Sequence, residues 1–556
     1  MNTKGHNKNR VFLINLSTIN FKKDNKLYMP QPHLGILCLK EISKNYNIDI
    51  NVLDGDFNNL NDENILKKIL KSKPRIIGFS PFQYTMERII GLIKKIKSKL
   101  PNTIIILGGV HASITAIDIL TDFDEIDYII KGEAEVSFPK LILTILKIQQ
   151  TNFTEIDGLV YRLNESIIEN NASVFPDLDL LPNLGSQQIP FTNEISLVTS
   201  RGCVSNCSFC CTPYYMKLTG NSKYRYQSPE KVLKDITEIV QSSENKEISI
   251  YFPDSDFLGL NDKTIARVSK IADYILLNNI KIEIKLACQA KAIVKAGIEF
   301  WEKLKKAGLT MVFCGFESGS DEDLAYYNKS SNVNDALGAY KILSECNIGL
   351  HIGFIMFNPY SNKNKLLENI NFLKKVDQLH IYGNISREVS AYPGTKIFHD
   401  LGIEKLLNYN KRYLTPQIKY KSNTIEDIKN AFCSYSPVQM LIDFMYYKFD
   451  FGLISGKKTI PCDKYSYKVD DNLRKSYIHY KNARANLIES YATKIINSFD
   501  ENINDIGNKM NSALLEKHQE FLAHISTNIF YQTKKSKLSN TIFPFFKRKN
   551  INYTLI

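Results

Sequence analysis

Between Arg201 and Tyr215 the chain reads RGCVSNCSFCCTPYY, so Cys203, Cys207, Cys210 and Cys211 fall within nine positions of a 556-residue chain that has ten cysteines in all. The other six, Cys38, Cys288, Cys314, Cys346, Cys433 and Cys462, stand singly. This is not the even spacing of a disulfide framework, which a chain of this length does not need, and it predicts a reducing, cytoplasmic compartment. Cys203, Cys207 and Cys210 are separated by three and then two residues, a thiolate set that suits either zinc or an iron–sulfur cluster. A structural zinc site needs four ligands, and the chain has no second closely spaced Cys/Cys or Cys/His pair to complete one. Three cysteines on a cube of four irons leave one iron open to an outside ligand. Cys211 directly follows Cys210, so its side chain is expected to point away from the site and to pack against or cap the loop.

The elements that must position this loop alternate strands and helices. EISLVTS, EISIYFP, KIEIKLA, TMVFCGFE, LHIGFIMF and LHIYGNIS are six strand candidates separated by helical stretches. They predict a partial (β/α)6 TIM-like barrel, in which active sites occupy the loops at the carboxyl ends of the strands. The polar and reactive residues fall there in register: the cysteines after the first strand, Asp254, Ser255 and Asp256 after the second, Gln289 after the third, Glu317 and Ser318 after the fourth, and Asn358 after the fifth. Upstream, VFLINL, IDINVL, RIIGFS, TIIILGG and IDYIIKG alternate with amphipathic stretches and predict a doubly wound α/β domain on a five-stranded parallel sheet buried on both faces. Such sheets bind ligands beyond the carboxyl ends of their strands. The expected organisation is residues 8–150 for this sheet, 151–192 for a linker containing the hairpin-like GLVYRLNESIIEN, 193–397 for the barrel, and 398–556 for a mostly helical C-terminal region in which YIHYKNARANLIESYATKIINSF is the clearest helix.

The formal charge of +13 comes almost wholly from lysine, whereas arginine, the planar fork that phosphates prefer, is sparse. A solvated lysine surface is the expectation, and a nucleic-acid partner is not. The one concentrated basic stretch is KKSKLSNTIFPFFKRKN near the end. VFLINL is too short for a secretory signal, and TIIILGGVHASITAIDIL is broken by glycines, His111 and Asp118 before the roughly 20 residues of a membrane span, so no membrane partner is expected.

CVSNCSFC, with the aromatic Phe209 just before its last cysteine, resembles the CxxxCxΦC motif of the radical S-adenosylmethionine superfamily. The resemblance implies a 4Fe-4S cluster on Cys203, Cys207 and Cys210, with S-adenosylmethionine on the open iron. PDSDF, with Asp254 and Ser255, looks like the acidic strand-end element of these enzymes, and VFCGFESGS resembles their GxESG segment. By that likeness Glu317 and Ser318 contact the amine or ribose of S-adenosylmethionine, and Phe209, Asp254, Ser255 and Gln289 belong to the same cofactor site. CQAK, which contains Gln289, is similar to a family segment that commonly ends in Arg, where this chain has Lys291.

The upstream domain carries a second resemblance. Ser80 and the Gly108-Gly109 pair match, in order and spacing, the Ser and Gly-Gly elements of cobalamin-binding domains, in which glycine lets the backbone approach a bulky ligand. IDYIIKGEAEVSFPKLI resembles the GEGE segment that closes this domain in cobalamin-type radical S-adenosylmethionine enzymes. The Asp-x-His-x-x-Gly loop that supplies a cobalt ligand in the mutases is absent after the first strand, and His33 lacks that context. Cobalamin held without a protein histidine ligand is therefore the expectation. His111 is expected to be a surface or helix-starting histidine. The likeness extends over residues 8–395.

The resemblance further implies that an electron from the cluster splits S-adenosylmethionine into methionine and a 5'-deoxyadenosyl radical. The commonest activity of the class is methyl transfer. The expected function is thus methylation of an unactivated carbon in a natural-product or peptide substrate, with electrons from a reductase or flavodoxin-type donor. GFIMFNP is similar to a GFIMFDP stretch of members associated with peptide natural products, with Asn358 in place of Asp. Cyclisation or rearrangement without net methylation uses the same parts. An RNA methylthiotransferase carries an N-terminal cysteine triad, and the chain ahead of the barrel has Cys38 alone. A non-catalytic cobalamin sensor leaves the cysteine loop unexplained.

Overall fold

In β1 (Val11–Asn15), Val11 and Leu13 enter one apolar layer while Phe12 and Ile14 enter another, the period of two that a strand covered on both faces requires. The structure is a computed structural model that describes residues 11–17, 31–189, 194–220, 224–243, 247–402, 406–407, 413–414, 416–454, 456–462, 465–498, 503–525 and 529–530. The basic stretch KKSKLSNTIFPFFKRKN lies outside them.

The first domain follows the expected alternation: α1 (Leu34–Lys44), β2 (Ile50–Asp54), α2 (Asp62–Ser72), β3 (Ile76–Phe79), α3 (Met86–Lys99), β4 (Ile104–Leu107), α4 (Gly109–Ile114), α5 (Ala116–Asp122), β5 (Tyr128–Ile130) and α6 (Ser137–Ile145). Five strands pair in parallel in the order β2-β1-β3-β4-β5. Residues of α1 and α6 fill one apolar layer and those of α2, α3 and α5 the other. The hairpin seen in the linker, β6 (Leu159–Leu163) and β7 (Ser166–Glu169), does not stand apart: it pairs antiparallel with β5 and makes the sheet seven-stranded. A parallel edge strand exposes unpaired backbone groups, and the hairpin covers them. Strand order reverses between β1 and β3, so the loop after β3 with Ser80 lies at the switch point where ligands bind, and the β4–α4 junction with Gly108 and Gly109 lies next to it.

The second sheet is parallel in the order β14-β13-β12-β11-β8. Its strands are β8 (Glu194–Ser196), β11 (Ile248–Phe252), β12 (Ile282–Cys288), β13 (Leu309–Glu317) and β14 (Gly349–Phe354); a two-stranded ribbon pairs β9 (Ser200–Arg201) with β10 (Arg225–Tyr226). Between them run α7 (Cys211–Leu218), α8 (Pro229–Gln241), α9 (Asp262–Leu277), α10 (Ala290–Ala296), α11 (Ile298–Lys306), α12 (Asp321–Tyr326) and α13 (Val333–Glu345). The partial barrel is thus present, but its sixth unit differs from expectation. LHIYGNIS forms no strand: its second half is the short helix α15 (Gly383–Ser386), and the sixth place in the sheet is a single parallel bridge from Phe357 to Glu388. The amides of Tyr382 and Gly383 donate to the buried carboxylate of Asp443 at 3.0 and 2.7 Å, which holds the backbone in a helical turn. An apolar run buried on every side satisfies either conformation, and tertiary contact decided it.

By contacts the chain divides into two compact units, one comprising residues up to Tyr360 with Glu388–Lys421, the other Ser361–Arg387 with the residues from Ser422 onward. Both sheets above belong to the first. The second is mostly helical, with α14 (Lys363–Lys375), α15, α17 (Asn423–Cys433), α18 (Ser436–Ile454), α19 (Asp471–Asn497) and α20 (Ile503–Ile525), and α16 (Lys396–Leu401) belongs to the first unit. No helix of the described residues is long and apolar enough to cross a membrane.

Candidate active site

The cysteine loop runs from β9 to the start of α7, where Cys210 is the N-cap and Cys211 the first helical residue. Its backbone is pinned from outside. Ser208 donates its amide to the Tyr327 carbonyl at 2.8 Å and its hydroxyl to the Tyr326 carbonyl at 2.9 Å, and Asn328 Nδ2 donates to the Asn206 carbonyl at 2.7 Å. Phe209 meets Tyr327 edge-on with ring centroids 5.5 Å apart and packs into the apolar cluster of Ile355, Val389 and Ile397. Burial pushes the Cys203 thiol up to about 11, with Asp256 and the other two thiols adding to it, and raises Cys207 as well, against the opposing pull of the Lys329 ammonium. Cys211 is pushed up to about 12, first by burial and then by Cys210. Among the described residues no three His, Cys, Asp or Glu side chains converge on a point that one metal ion could occupy. Thiolates that bind separate irons of one cluster do not have to. Three thiols in one externally braced loop suit such a cluster.

Gln289 ties the third strand to this loop. Its Oε1 accepts from the hydroxyls of Ser205 and, at 2.9 Å, Ser330, while its Nε2 donates to Asp256 Oδ2. The Ser205 amide in turn lies 3.4 Å from Cys203 Sγ. Glu317 stands in the left-handed region at φ 67°, where a non-glycine side chain costs of order 1–3 kcal/mol. Its carboxylate folds back over Gly315, where an added Cβ would come within 2.2 Å of Glu317 Oε1, and pairs with Lys329 Nζ at 3.1 Å. Both side chains are mostly withdrawn from solvent, at 7% exposure for Lys329 and 12% for Glu317. Burial lowers the Lys329 ammonium, but Glu317 and then Cys207 hold it above its ordinary value. The expected role of Ser318 is less direct: its hydroxyl donates to Asp323 Oδ2 at 3.3 Å and accepts from the Ser320 amide at 3.2 Å, bracing the start of α12.

Asp254 is wholly committed to Thr199 and Ser200. Its Oδ1 accepts the amides of Thr199 and Ser200 at 2.8 and 2.7 Å, and its Oδ2 the Thr199 hydroxyl at 2.9 Å, which fixes the segment that leads into the cysteine loop. Burial pushes its carboxyl up to about 6 despite those bonds. An acid whose value rises on folding stabilises the fold below its unfolded value, near 3.8, and loses that contribution as pH rises through about 6. The loss amounts to about 3 kcal/mol at neutral pH. Asp254→Asn cannot ionise, so its thermal midpoint relative to the parent should improve as pH is raised from about 4 to about 7. A difference that does not change with pH would refute the assignment.

A cavity of about 440 Å³ lies at the carboxyl ends of both sheets, and Ser80, Gly108, Gly109, Asp254 and the exposed Ser255 line it together with Arg201 and Gly202 of the cysteine loop. Gln289, Glu317, Ser318 and Phe209 do not belong to its wall; Phe209 and Gln289 belong to the cysteine loop and its bracing, and Glu317 and Ser318 to the end of β13. Gly109 has φ 86°, and a Cβ there would sit 2.8 Å from Ser80 Oγ, so a side chain would fill the lip that Ser80 and the glycines form. That cradle fits a ligand whose bulk comes close to backbone. His33 also lines the cavity; its Nδ1 caps α1 by accepting the Ile36 amide at 3.4 Å, and burial lowers its basicity. A neutral imidazole bonded in this way carries its proton on Nε2 and offers no lone pair there. His111 lies in the first turn of α4, as expected of a helix-starting histidine, but not at the surface: it is buried, lowered to about 4 by desolvation, and its Nε2 bonds the Tyr413 carbonyl at 2.9 Å.

Sequence reasoning passed over Lys329, which follows α12 without any motif, and the ion-pair network of the cavity wall. Arg201 bonds Glu133 and Glu135, the two acids of the GEAE segment, and Arg225 bonds Glu133. Arg201 stands two residues before Cys203, the one signal that could have singled it out.

Compared with known proteins, residues 25–142 match the B12 binding domain and residues 197–373 the radical SAM superfamily. The chain is 26% identical over 343 residues to a 4'-phospho-dehydrooxetanocin synthase of Priestia megaterium, a match covering 57% of this chain and 44% of that protein. It is 27% identical over 416 residues to an uncharacterized methyltransferase of Pyrococcus horikoshii, covering 71% of this chain and 85% of that one. The chain thus spans less than half the length of the first relative and most of the second. Among solved structures, the cobalamin-dependent S-adenosylmethionine radical enzyme OxsB, with aqua-cobalamin and S-adenosylmethionine bound, shares the fold with a TM-score of 0.73 at 19% identity, over 97% of this chain and 84% of that one.

Proposed function

The chain belongs to the radical S-adenosylmethionine enzymes that carry a B12 binding domain, and from that premise we propose that it methylates an unactivated carbon of a natural-product or peptide substrate. The observation that carries the reading is the shared cavity: the cobalamin-type lip of Ser80, Gly108 and Gly109 and the first residues of the cysteine loop face the same space. When bound, the cluster with S-adenosylmethionine supplies a carbon-centred radical, and cobalamin supplies methyl delivery.

The chain's own residues divide the remaining work. Cys203, Cys207 and Cys210 would hold the cluster, with Gln289 and Ser205 bracing the loop. Glu317 and Lys329 present opposite charges, complementary to the amine and carboxylate of S-adenosylmethionine, in a site where burial strengthens both contacts. Asp254 keeps the strand end in place. Leu181, Pro182 and Leu184 of the linker close part of the cavity with apolar surface, which excludes water from a reactive intermediate. Electrons would come from a reductase or flavodoxin-type protein.

A second reading, ring formation or rearrangement without net methylation, is favoured by the likeness to a relative named as a cyclase, the anaerobic magnesium-protoporphyrin IX monomethyl ester cyclase of Synechocystis sp., 25% identical over 330 residues. One experiment separates them. The full chain, reconstituted anaerobically with iron, sulfide and cobalamin, is reduced with S-adenosylmethionine, and both 5'-deoxyadenosine and S-adenosylhomocysteine are measured. Methyl transfer is expected to yield both, the second reading 5'-deoxyadenosine alone. Formation of neither would remove the radical chemistry altogether.

A further inference from the structure

The ion pairs in the cavity wall leave one oxygen unused. Glu133 is engaged at both oxygens, by Arg201 Nη1 at 2.5 Å on Oε2 and by Arg225 Nη2 on Oε1. Glu135 is engaged at one. Its Oε1 takes Arg201 Nη2 and, at 3.8 Å, the thiol of Cys38, which burial holds protonated at a value of about 12. Its Oε2 is buried without any hydrogen-bond partner, on a residue 7% exposed that lines the cavity. A buried carboxylate oxygen with no donor is unfavourable unless a ligand supplies one.

The chemistry of that donor follows from the charges. Two glutamates and two arginines cancel, so a further cation is not called for; a neutral N–H is the complement. Glu135 belongs to the wall that also contains Ser80, Gly108 and Gly109, the lip assigned above to cobalamin. The rim of a corrin carries primary carboxamides, which are neutral N–H donors on flexible arms. Resting on the cobalamin reading, we propose that Oε2 of Glu135 accepts a hydrogen bond from a corrin carboxamide, so that Glu135 is a cobalamin-binding residue. Arg201 then joins this residue to the cysteine loop, because one guanidinium bonds both GEAE carboxylates two positions ahead of Cys203. Seating of the corrin and placement of the cluster loop share a single ion-pair hub.

Titration of the full chain with aquacobalamin and with dicyanocobinamide, which keeps the corrin carboxamides and lacks the nucleotide tail, tests this by absorbance without any turnover. Glu135→Gln removes the charge from the acceptor and turns its own N–H toward the ligand amide, which must rotate to present its carbonyl in a weaker neutral bond. It is expected to weaken both ligands about tenfold or more. Glu133→Gln perturbs the same ion pairs but leaves the unused oxygen in place, and is expected to weaken them less than about threefold by the same measure. Equal iron content in all three proteins establishes that each is folded. Cobalamin monocarboxylates provide the reciprocal change: the one whose bonded amide has become a carboxylate should be rejected by the parent and tolerated better by Glu135→Gln. Failure of the parent to bind aquacobalamin would remove the cobalamin reading together with this proposal. A parent that binds, with Glu135→Gln unchanged, removes the proposal alone. Equal weakening in both variants would assign the effect to the ion pairs, and weakening of aquacobalamin without cobinamide would move the contact to the nucleotide tail; either overturns it.

Discussion

Cys207→Ala is expected to abolish cluster assembly and, with it, all formation of 5'-deoxyadenosine. Cys207 is buried at 8% exposure, and its thiol is one of three in a loop whose backbone is held by Tyr326, Tyr327 and Asn328 rather than by sulfur. The Cys207 carbonyl accepts the Cys210 amide at 3.2 Å, a bond that alanine preserves. The variant should therefore keep its fold and lose ligation alone: iron and sulfide per chain fall to background, the visible absorbance of the cluster disappears, and the thermal midpoint moves little. Cys211→Ala is the matched control. Cys211 begins α7 one residue beyond the proposed ligand set and should leave the iron content at the parent level. Retention of a full cluster and of S-adenosylmethionine cleavage by Cys207→Ala, or loss of the cluster in Cys211→Ala, would show that the ligand set is a different one.

Gly109→Val should weaken cobalamin binding at least about tenfold while leaving the cluster in place. At φ 86° a β-branched residue is a conformational outlier, and its strain costs of order 1–3 kcal/mol. Its Cβ would also press on Ser80 Oγ from 2.8 Å. The serine hydroxyl can rotate away from a single methyl, so Gly109→Ala should be milder than Gly109→Val. Both side chains nevertheless project into the lip where the backbone must lie against its ligand. The chain retains the sheet beneath, because β4 and α4 keep their apolar contacts through Leu107 and Ala112. Equilibrium dialysis against aquacobalamin should register a loss of at least about tenfold for valine, the factor that corresponds to about 1.4 kcal/mol. Iron content should equal that of the parent. Parent-like binding by Gly109→Val would exclude this lip as the ligand's seat.

Much of the architecture was legible because it rests on period. Val11 to Ile14 alternate between two apolar layers, and such alternation, repeated over five short strands with helices between, has few other solutions. LHIYGNIS was not legible in the same way. Leu379, His380, Ile381 and Tyr382 are all buried, so no polar face records a period, and a carboxylate from more than fifty positions downstream, Asp443, selects the turn. The hairpin β6–β7 was visible as a hairpin, yet its attachment to β5 depends on an open sheet edge that no local pattern announces.

The sequence by itself determined which residues are candidates for the chemistry: three cysteines at a spacing that suits a cluster, a serine and a glycine pair at strand ends, and strand-end acids in register. Spacing along a chain survives folding, and ligand sets and tight turns are local. Tertiary structure alone decided what surrounds them. It turned Asp254 onto the backbone of Thr199 and Ser200, brought Lys329 against Glu317, and joined Arg201 to Glu133 and Glu135 across more than sixty positions. The physical reason is burial: a charged group withdrawn from water must find a partner wherever the packed chain offers one, and that partner need not be near in sequence.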